Sequence, residues 1–207
     1  MRDIQNFLEN INCPICKISN FKVVKHSNYQ KFKNLDELLE TYKSSGDEQL
    51  VDQLVQCNNC NLNYLNPRIK SSYIQKAYEN NIDIQHISQD QQRYKTFRKS
   101  FQKIKKKLKL NHSTHKTILD IGSASGIFLK LVKEQGFVEH GYEPSKWMTE
   151  FGQKEYNVNL KNGSINNVSE ENQFDLISFW DVLEHVTDLE KTVKKITKIS
   201  NKNSYII

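Results

Sequence analysis

A glycine-containing turn carries the first pattern in this chain that could do chemistry. Ile118, Leu119 and Ile121 are typical of a short buried strand, and the pattern D-x-G-x-x-x-G runs from Asp120 to Gly126. Glycine lets a backbone approach a ligand closely, and free N–H groups at a helix start favour its polar or anionic parts. A dinucleotide fingerprint would need glycine at positions 124 and 127, which hold Ala and Ile. The pattern predicts a cofactor cradle, with a tight turn of another α/β fold as the alternative.

A second acid stands where a parallel sheet would bring it to the same ligand. Residues 137–142 predict the next strand, and Glu143 follows it, 21 residues beyond Gly122. In nucleoside-binding α/β folds, an acid at the end of the second strand accepts hydrogen bonds from ribose hydroxyls. Pro144 and Ser145 predict a helix start directly after it. We therefore expect Glu143 to bind a ribose, with an ordinary surface acid as the alternative.

Four cysteines form two C-x-x-C pairs, Cys13 with Cys16 and Cys57 with Cys60. In a reducing compartment such pairs favour metal over disulfide bonds. Two tight turns of this kind can complete a closed, tetrahedral four-thiolate site for structural Zn²⁺. Four unmetallated thiols or a redox-active pair are the alternatives, although neither pair lies in a thioredoxin-like βαβ context. The 40 residues between the pairs are more than a minimal zinc ribbon needs.

These motifs resemble class I S-adenosylmethionine (SAM)-dependent methyltransferases that carry an N-terminal four-cysteine zinc ribbon. Their first motif is D/E-x-G-x-G-x-G, and Ala124 stands here at its middle glycine. The second cysteine pair is followed by N-L-N-Y-L-N-P-R, which resembles the family pattern C-G-L-x-[YF]-L-N-P-R-P, with Asn61 for the glycine and Ile69 for the last proline. Residues 174–186, F-D-L-I-S-F-W-D-V-L-E-H-V, resemble the fourth motif of the family.

The resemblance implies a SAM site built from several separate segments. The expected cofactor-binding residues are Asp120, Gly122, Ser123, Ala124, Gly126, Glu143, Pro144, Ser164, Trp180 and Asp181. Ser164 would stand where relatives contact the adenine, or it would only cap a turn. Trp180 and Asp181 would lie over the sulfonium and near the acceptor. A helix before the first strand caps the pocket in related enzymes, and its candidate residues here are Tyr78, Arg93 and Phe97.

Methyl transfer from a sulfonium is an in-line displacement that needs no protein nucleophile, so alignment and desolvation are the main contributions of an enzyme. A hydroxyl acceptor would benefit from a base, and His185 and Asp181 are the candidate catalytic residues. The equal alternative is that His185 has a structural role, packed at the start of a helix. Asp181, Glu184 and His185 would share one face if this turn is helical. Some related O-methyltransferases bind a divalent ion there, which is a further alternative.

The fold class that these patterns predict is α/β, a Rossmann-like doubly wound sheet preceded by a small zinc ribbon and a helical linker. The expected domains are a zinc-ribbon-like domain (residues 1–70), a helical linker or cap (71–112) and a SAM-binding methyltransferase domain (113–207). Its expected strands include 137–142, 158–160, 174–180 and one that begins at 204. Relatives continue with two further strands, so we expect this domain to be C-terminally incomplete after strand five, with an uncovered edge.

The sequence of the linker predicts mostly helix over residues 71–110. Phe97, Phe101, Ile104 and Leu108 recur at three- and four-residue spacing, and lysines fill most of the other positions. We expect this helix to dock on the catalytic domain and to leave its lysine face in solvent. Binding of RNA or of an anionic glycan by that face is the alternative. In the insert between the cysteine pairs, residues 21–25 predict a strand, and residues 35–42 and 50–55 predict a helix, or a helix and then a strand.

The composition is that of a globular protein, with 37% hydrophobic and 26% charged residues among 207. The net charge is +6 and the pI about 9.0, but the lysines are spread along the chain, so the overall charge favours a nucleic-acid partner only weakly. The N-terminus lacks an apolar signal core, and no apolar run approaches the length of a membrane span. We expect a cytoplasmic protein.

The sequence thus predicts an enzyme that uses SAM, holds structural Zn²⁺ and methylates a small-molecule or saccharide acceptor. One alternative is an RNA methyltransferase whose zinc ribbon and lysine-rich helix hold the nucleic acid. The other is a non-catalytic fragment that binds SAM or a protein partner. A steep dependence of binding on salt would favour the nucleic-acid alternative.

Overall fold

The structure is a computed structural model that describes residues 4–42, 50–79, 82–110 and 116–207. Its internal contacts divide the chain into two compact units, Met1–Tyr78 and Glu79–Ile207. No helix of the described residues is both long enough and apolar enough to cross a membrane.

The first unit is built from short strands and helices. In chain order they are β1 (Leu8–Glu9), β2 (Phe21–Lys25), α1 (Leu35–Leu39), β3 (Leu54–Cys57), β4 (Asn63–Leu65), β5 (Arg68–Ile69) and α2 (Ser71–Glu79). Strands β2, β3 and β4 form an antiparallel sheet in that order, and β1 pairs antiparallel with β5. The predicted strand at 21–25 is confirmed. Of the two helical patterns in the insert, the first forms α1 and a 3-10 turn, and the second becomes a strand only from Leu54.

The L-N-P-R stretch joins distant parts of this unit. The buried side chain of Asn66 accepts a hydrogen bond from the backbone N–H of Ile11 at 2.8 Å. Gln53 donates to the carbonyl of Asn66 at 2.7 Å, and Arg68 pairs with Glu9 at 2.8 Å. The stretch therefore ties the segment before the first cysteine pair to the strands around the second.

Asp52 is a buried carboxylate at the centre of the insert, only 2% exposed. Its two oxygens accept hydrogen bonds from the hydroxyls of Tyr29 and Tyr42, each at 2.5 Å, and one also accepts from the backbone N–H of Ile69 at 3.2 Å. Burial and the nearby Asp52 charge raise the pKa of both tyrosines above its ordinary value, so both remain donors. A single carboxylate thus holds three separate segments together.

Replacing Tyr42 with phenylalanine is expected to lower the free energy of unfolding by about 1–2 kcal/mol, because Asp52 stays buried but loses one donor. Tyr73→Phe is the matched control, since the Tyr73 hydroxyl has no hydrogen-bond partner among the described residues while its ring packs on Phe7. Urea denaturation of both variants measures the difference. Equal losses in the two variants would show that the bond to Asp52 contributes nothing of its own.

The second unit alternates helices and strands. They are α3 (Ile84–Ser88), α4 (Asp90–Leu108), β6 (Thr117–Ile121), α5 (Ile127–Glu134), β7 (Val138–Glu143), α6 (Lys146–Tyr156), β8 (Leu160–Asn162), β9 (Phe174–Phe179), α7 (Leu189–Ile199) and β10 (Ser200–Ile206). The strands form one sheet in the order β10-β9-β6-β7-β8, and every neighbouring pair is parallel. The predicted Rossmann-like α/β architecture is confirmed.

Helices cover both faces of this sheet. Ile118 of β6 packs in a hydrophobic cluster with Phe101 of α4 and Phe128 of α5. The next residue, Leu119, belongs to a different cluster with Ile196 of α7. Since successive strand residues point to opposite faces of a sheet, α4 and α5 lie on one face and α7 on the other. This is the doubly wound arrangement that the alternating pattern predicts.

Strand β8 differs from its prediction at 158–160. It begins at Leu160, and its residues pair in parallel with the last three residues of β7. Val158 is buried instead in a cluster with Leu129 and Leu160. Its apolar character reflects side-chain packing rather than strand pairing, so the prediction was wrong by two residues. The fifth strand also begins earlier than expected, at Ser200.

The predicted linker, residues 71–112, is divided between the two units, since α2 lies almost entirely in the first and α3 and α4 lie in the second. Its predicted boundary at 112/113 falls outside the described residues. Helix α4 docks on the sheet unit as predicted. Tyr156 of α6 donates to Asp90 at 2.8 Å, Lys105 donates to Gln135 at 2.9 Å, and Tyr94 bonds Glu134 of α5.

Candidate cofactor site and cysteine cluster

Three strands of the parallel sheet end side by side. Ile121, the last residue of β6, is in register with Tyr142 of β7 and with Phe179 of β9. In open parallel sheets, ligands bind beyond the carboxyl ends of the strands. The residues that follow these three positions therefore emerge together at the ligand-binding edge, and they are Gly122, Glu143 and Trp180.

The turn after β6 requires glycine-like backbone geometry. Gly122 and Gly126 have φ angles of +68° and +77°, and Ala124 between them has +48°. A Cβ on Gly122 would also lie 2.6 Å from a methyl carbon of Val182, which is too close for real atoms. Position 122 thus needs glycine for both conformation and packing. Ala124 also has a left-handed backbone, although it carries a Cβ.

The side chain of Glu143 is buried and hydrogen-bonded at both carboxylate oxygens. It is 8% exposed, and its Oε2 accepts a hydrogen bond from the backbone N–H of Ala124 at 2.9 Å while Oε1 accepts from that of Ser145 at 2.8 Å. Each carboxylate oxygen keeps a further lone pair for a ligand hydroxyl. Burial raises the pKa of Glu143 to about 7, although the two backbone hydrogen bonds act to lower it. The arrangement couples the β6–α5 turn to the start of α6.

Asp120 is a second buried carboxyl nearby. Its Oδ1 accepts a hydrogen bond from the hydroxyl of Ser178 in β9 at 2.6 Å. Burial raises the pKa of Asp120 to about 7; hydrogen bonds from Ser178 and Ser123 oppose the shift, and the neighbouring Glu143 adds to it. The sequence analysis did not assign Ser178 a role, although its hydroxyl was a usable signal, since Ser178 and Asp175 are the two polar residues of β9. The site therefore holds two carboxyls that can change charge near neutral pH.

Trp180 lies in an aromatic cluster with Phe97 of α4 and Phe128 of α5, at ring-centroid distances of 5.1 and 5.2 Å. Its indole Nε1 is buried and has no hydrogen-bond partner among the described residues. Buried indole N–H groups usually have a partner, so this donor is free to meet a ligand acceptor. Of the three predicted cap residues, Phe97 joins the cluster. Arg93 lies one turn earlier on α4, and Tyr78 belongs to the first unit.

The segment after Trp180 is more open. Asp181 has a left-handed φ of +54°, and a 3-10 turn then covers Leu183–His185. Asp181, Glu184 and His185 are all exposed. They do not share an α-helical face, and within the described ranges the only group of three or more potential metal ligands that meet is formed by the four cysteines.

Ser164 acts as a cap. Its hydroxyl accepts a hydrogen bond from the backbone N–H of Asn166 at 3.3 Å, and its own N–H donates to the Asn167 side chain at 2.8 Å. The preceding Asn162, which the sequence analysis missed, donates to the backbone carbonyls of Glu143 and Pro144 at 3.0 and 2.8 Å. Asn162 therefore supports the backbone that carries Glu143.

The four cysteine sulfurs of the first unit form one cluster. All lie within 4.8 Å of one another, with Cys13 Sγ 3.5 Å from Cys60 Sγ and Cys16 Sγ 3.4 Å from Cys57 Sγ. None of them forms a disulfide. A tetrahedral Zn²⁺ with Zn–S bonds of about 2.3 Å requires sulfur–sulfur distances of about 3.8 Å. The observed spacing and the thiol donor set fit such an ion.

The two cysteine pairs have the same backbone geometry. In each, the residue after the second cysteine has positive φ, +63° at Lys17 and +60° at Asn61. Each of these residues also donates its N–H to the carbonyl of the first cysteine of its pair, at 2.9 and 3.0 Å. Asn61 thus adopts a left-handed conformation, which Asn visits more often than most residues with a side chain. The cluster is therefore built from two equivalent tight turns.

Solved structures of low sequence identity share the fold of the second unit. The structure of the plantazolicin methyltransferase BpumL in complex with SAH is 18% identical, with a TM-score of 0.53, and the match covers 64% of this chain and 55% of that one. A SAM-dependent methyltransferase from Clostridium acetobutylicum ATCC 824 is 17% identical, with a TM-score of 0.50, and the match covers 59% and 55%. This chain thus spans about half the length of these structures. No curated protein matches it.

The family comparison covers the same region as the candidate cofactor site. The family model described as methyltransferase domain matches residues 89–207, from the start of α4 through β10. That match is more than half of the chain and includes the glycine turn, Glu143 and Trp180. The chain therefore belongs to the methyltransferase domain family.

Proposed function

We propose that this chain binds SAM at the carboxyl edge of its parallel sheet and transfers the methyl group to a small-molecule or saccharide acceptor. The observation that carries the proposal is the buried carboxylate of Glu143 at the end of β7, oriented by the N–H groups of Ala124 and Ser145. A carboxylate held in this way offers one acceptor to each hydroxyl of a ribose diol.

The remaining residues of the edge suit the other parts of the same ligand. SAM supplies an electrophilic methyl group on a positively charged sulfonium. The rings of Trp180, Phe97 and Phe128 would exclude water from this cation, and an aromatic face also attracts it. The unpartnered indole N–H of Trp180 and the buried carboxyl of Asp120 would bind polar groups of the ligand. Gly122 leaves room for the backbone to approach.

Asp181 and His185 are the proposed catalytic residues for a hydroxyl acceptor. Both are exposed and follow directly on the end of β9, where an acceptor can reach them from solvent. Either can accept the proton that the acceptor loses as it is methylated. The rest of the rate enhancement would come from alignment of the acceptor with the methyl group.

The four cysteines are proposed to hold a structural Zn²⁺. Two equivalent turns with the sulfur spacing described above provide a closed set of four thiolates, which leaves no open position for catalysis. The ion would stabilise a unit whose described strands form only a three-stranded sheet and a two-stranded pair.

Calorimetric titration of the zinc-loaded protein with SAM and with SAH tests the first step. We expect micromolar affinity for both, followed by transfer of labelled methyl from SAM to members of an acceptor panel of saccharides, small molecules and RNA. Absence of binding in a protein shown to be folded would contradict the proposal. Binding without transfer to any acceptor would instead support a non-catalytic SAM-binding fragment.

A further inference from the structure

The charged side chains of helix α4 are all positive after its first residue. After Asp90, residues 91–110 contain nine lysines and arginines and no acidic residue, in a chain that carries 24 acids among 207 residues. The cations that are exposed on α4 itself are Lys95, Arg98, Lys99, Lys103, Lys106 and Lys107. With 100° between successive residues of a helix, these six side chains occupy one half of its circumference.

Helix α7 shows how acidic residues neutralise part of a lysine-rich helix in this protein. There Lys194 pairs with Glu190 at 2.7 Å, and Lys195 and Lys198 both pair with Glu170, at 3.5 and 3.1 Å. For the six exposed cations of α4, the described residues offer no acidic group within 4.0 Å. The exposed cations of α4 are therefore available to an anionic partner.

The opposite side of α4 packs against the hydrophobic core of the second unit. Phe101 is completely buried, and Phe97, Ile104 and Leu108 pack against the same hydrophobic cluster. A helix that inserts into a lipid surface needs a free apolar face, and α4 has none. Its free face is polar and basic, which suits an anionic chain that lies along the surface.

The row of cations and the polar residues among them suit a nucleic-acid strand. From Lys95 to Lys107 the helix rises by about 18 Å. Six cations over this length can contact up to six successive phosphates of one strand. Gln92, Thr96 and Gln102 lie exposed among the cations and offer side-chain oxygens to a ribose 2′-hydroxyl.

We infer that the exposed face of α4 binds the phosphate backbone of single-stranded RNA. The inference depends on the charge and exposure of α4 alone, so it can fail while SAM binding succeeds, and the reverse. It makes RNA a macromolecular partner of this unit, whatever acceptor receives the methyl group.

Fluorescence anisotropy with a labelled 20-nucleotide RNA tests the inference on the full, zinc-loaded chain between 50 and 200 mM salt. Neutralising six phosphates predicts a slope of about −4 for log affinity against log salt. The variant Lys99→Gln/Lys103→Gln/Lys106→Gln removes three of the cations, and Gln has nearly the helix propensity of Lys. We expect it to reduce the slope to about −2 and to weaken binding at least ~10-fold at 100 mM salt.

The matched control is Lys146→Gln/Lys194→Gln/Lys198→Gln, which changes net charge equally on α6 and α7 and should leave affinity within about twofold. Thermal unfolding of both variants checks that they fold. Equal weakening by the two triple variants would show that only net charge matters and would overturn the inference. Absence of binding at 50 mM salt, or tighter binding of single-stranded DNA or of an anionic polysaccharide in parallel titrations, would overturn it as well.

Discussion

Glu143→Ala is expected to weaken SAM binding by about 2–3 kcal/mol, a loss of roughly 30- to 150-fold in affinity. The variant removes the charged acceptor for the ribose hydroxyls, and a hydrogen bond to a charged group contributes about 1.5–3 kcal/mol. It also frees the N–H groups of Ala124 and Ser145, which the carboxylate holds at 2.9 and 2.8 Å. Isothermal titration of SAM and SAH into both proteins measures the change.

Glu139→Ala is the matched control for this experiment. Glu139 lies on the same strand and is also 8% exposed, and it pairs with Lys133 at 3.6 Å. It stands four residues before the ligand-binding edge, so its loss should lower stability without changing the affinity for SAM. If the two variants lost affinity equally, the effect would come from general damage to β7, and the ribose-binding role of Glu143 would be refuted.

The affinity for SAM is expected to rise with pH between about 6 and 8. In the free protein, burial raises the pKa of Glu143 and of Asp120 to about 7, above the ordinary carboxyl values. Ribose hydroxyls donate to the charged form, so binding favours loss of the proton and strengthens as pH passes the folded pKa. The stability of the unliganded protein is expected to show the opposite trend. Its folded state holds protons that the unfolded state has lost, so the free energy of unfolding should fall as pH rises toward 7.

The same titrations repeated across this pH range in Glu143→Ala separate the two carboxyls. Any dependence of SAM affinity on pH that remains in this variant is assigned to Asp120. An affinity that no longer changes with pH assigns the whole effect to Glu143. An affinity for SAM that fell as pH rose in the unmodified protein would contradict the expectation for both groups.

Cys57→Ser is expected to abolish stoichiometric zinc binding and to unfold the first unit. Cys57 is fully buried within the cluster, and its sulfur lies 3.4 Å from that of Cys16. Structural zinc sites contribute about 10–16 kcal/mol of apparent binding free energy in small zinc-finger peptides, more than a unit of this size can replace by packing. Metal content and urea denaturation, with and without a chelator, measure the two effects.

Asn59→Ala provides the control within the same turn. Asn59 is exposed, and its backbone N–H, which the substitution keeps, donates to Cys57 Sγ at 3.4 Å. This variant should bind one zinc ion and unfold like the original chain. SAM binding is expected to survive Cys57→Ser, because every proposed SAM ligand lies in the second unit. A Cys57→Ser protein that kept its zinc and its denaturation midpoint would leave the cluster without a structural metal role.

Features that depend on local spacing could be determined from the sequence alone. The alternation of strand and helix patterns predicted the Rossmann-like sheet, since periodicity and turn residues are local properties of the chain. Gly122, the acid at position 143 and the two C-x-x-C pairs were recognisable for the same reason, because each function needs particular residue types at short fixed distances.

Features that depend on contacts between distant residues required the tertiary structure. Only the register of β7 with β8 shows that strand pairing begins at Leu160, and only packing brings Trp180 against Phe97, 83 positions earlier in the chain. The lysines of α4 are visible in the sequence, but whether acids elsewhere neutralise them depends on the whole fold, as the paired lysines of α7 demonstrate. Periodicity specifies which face of a helix is polar, whereas three-dimensional packing decides what that face meets.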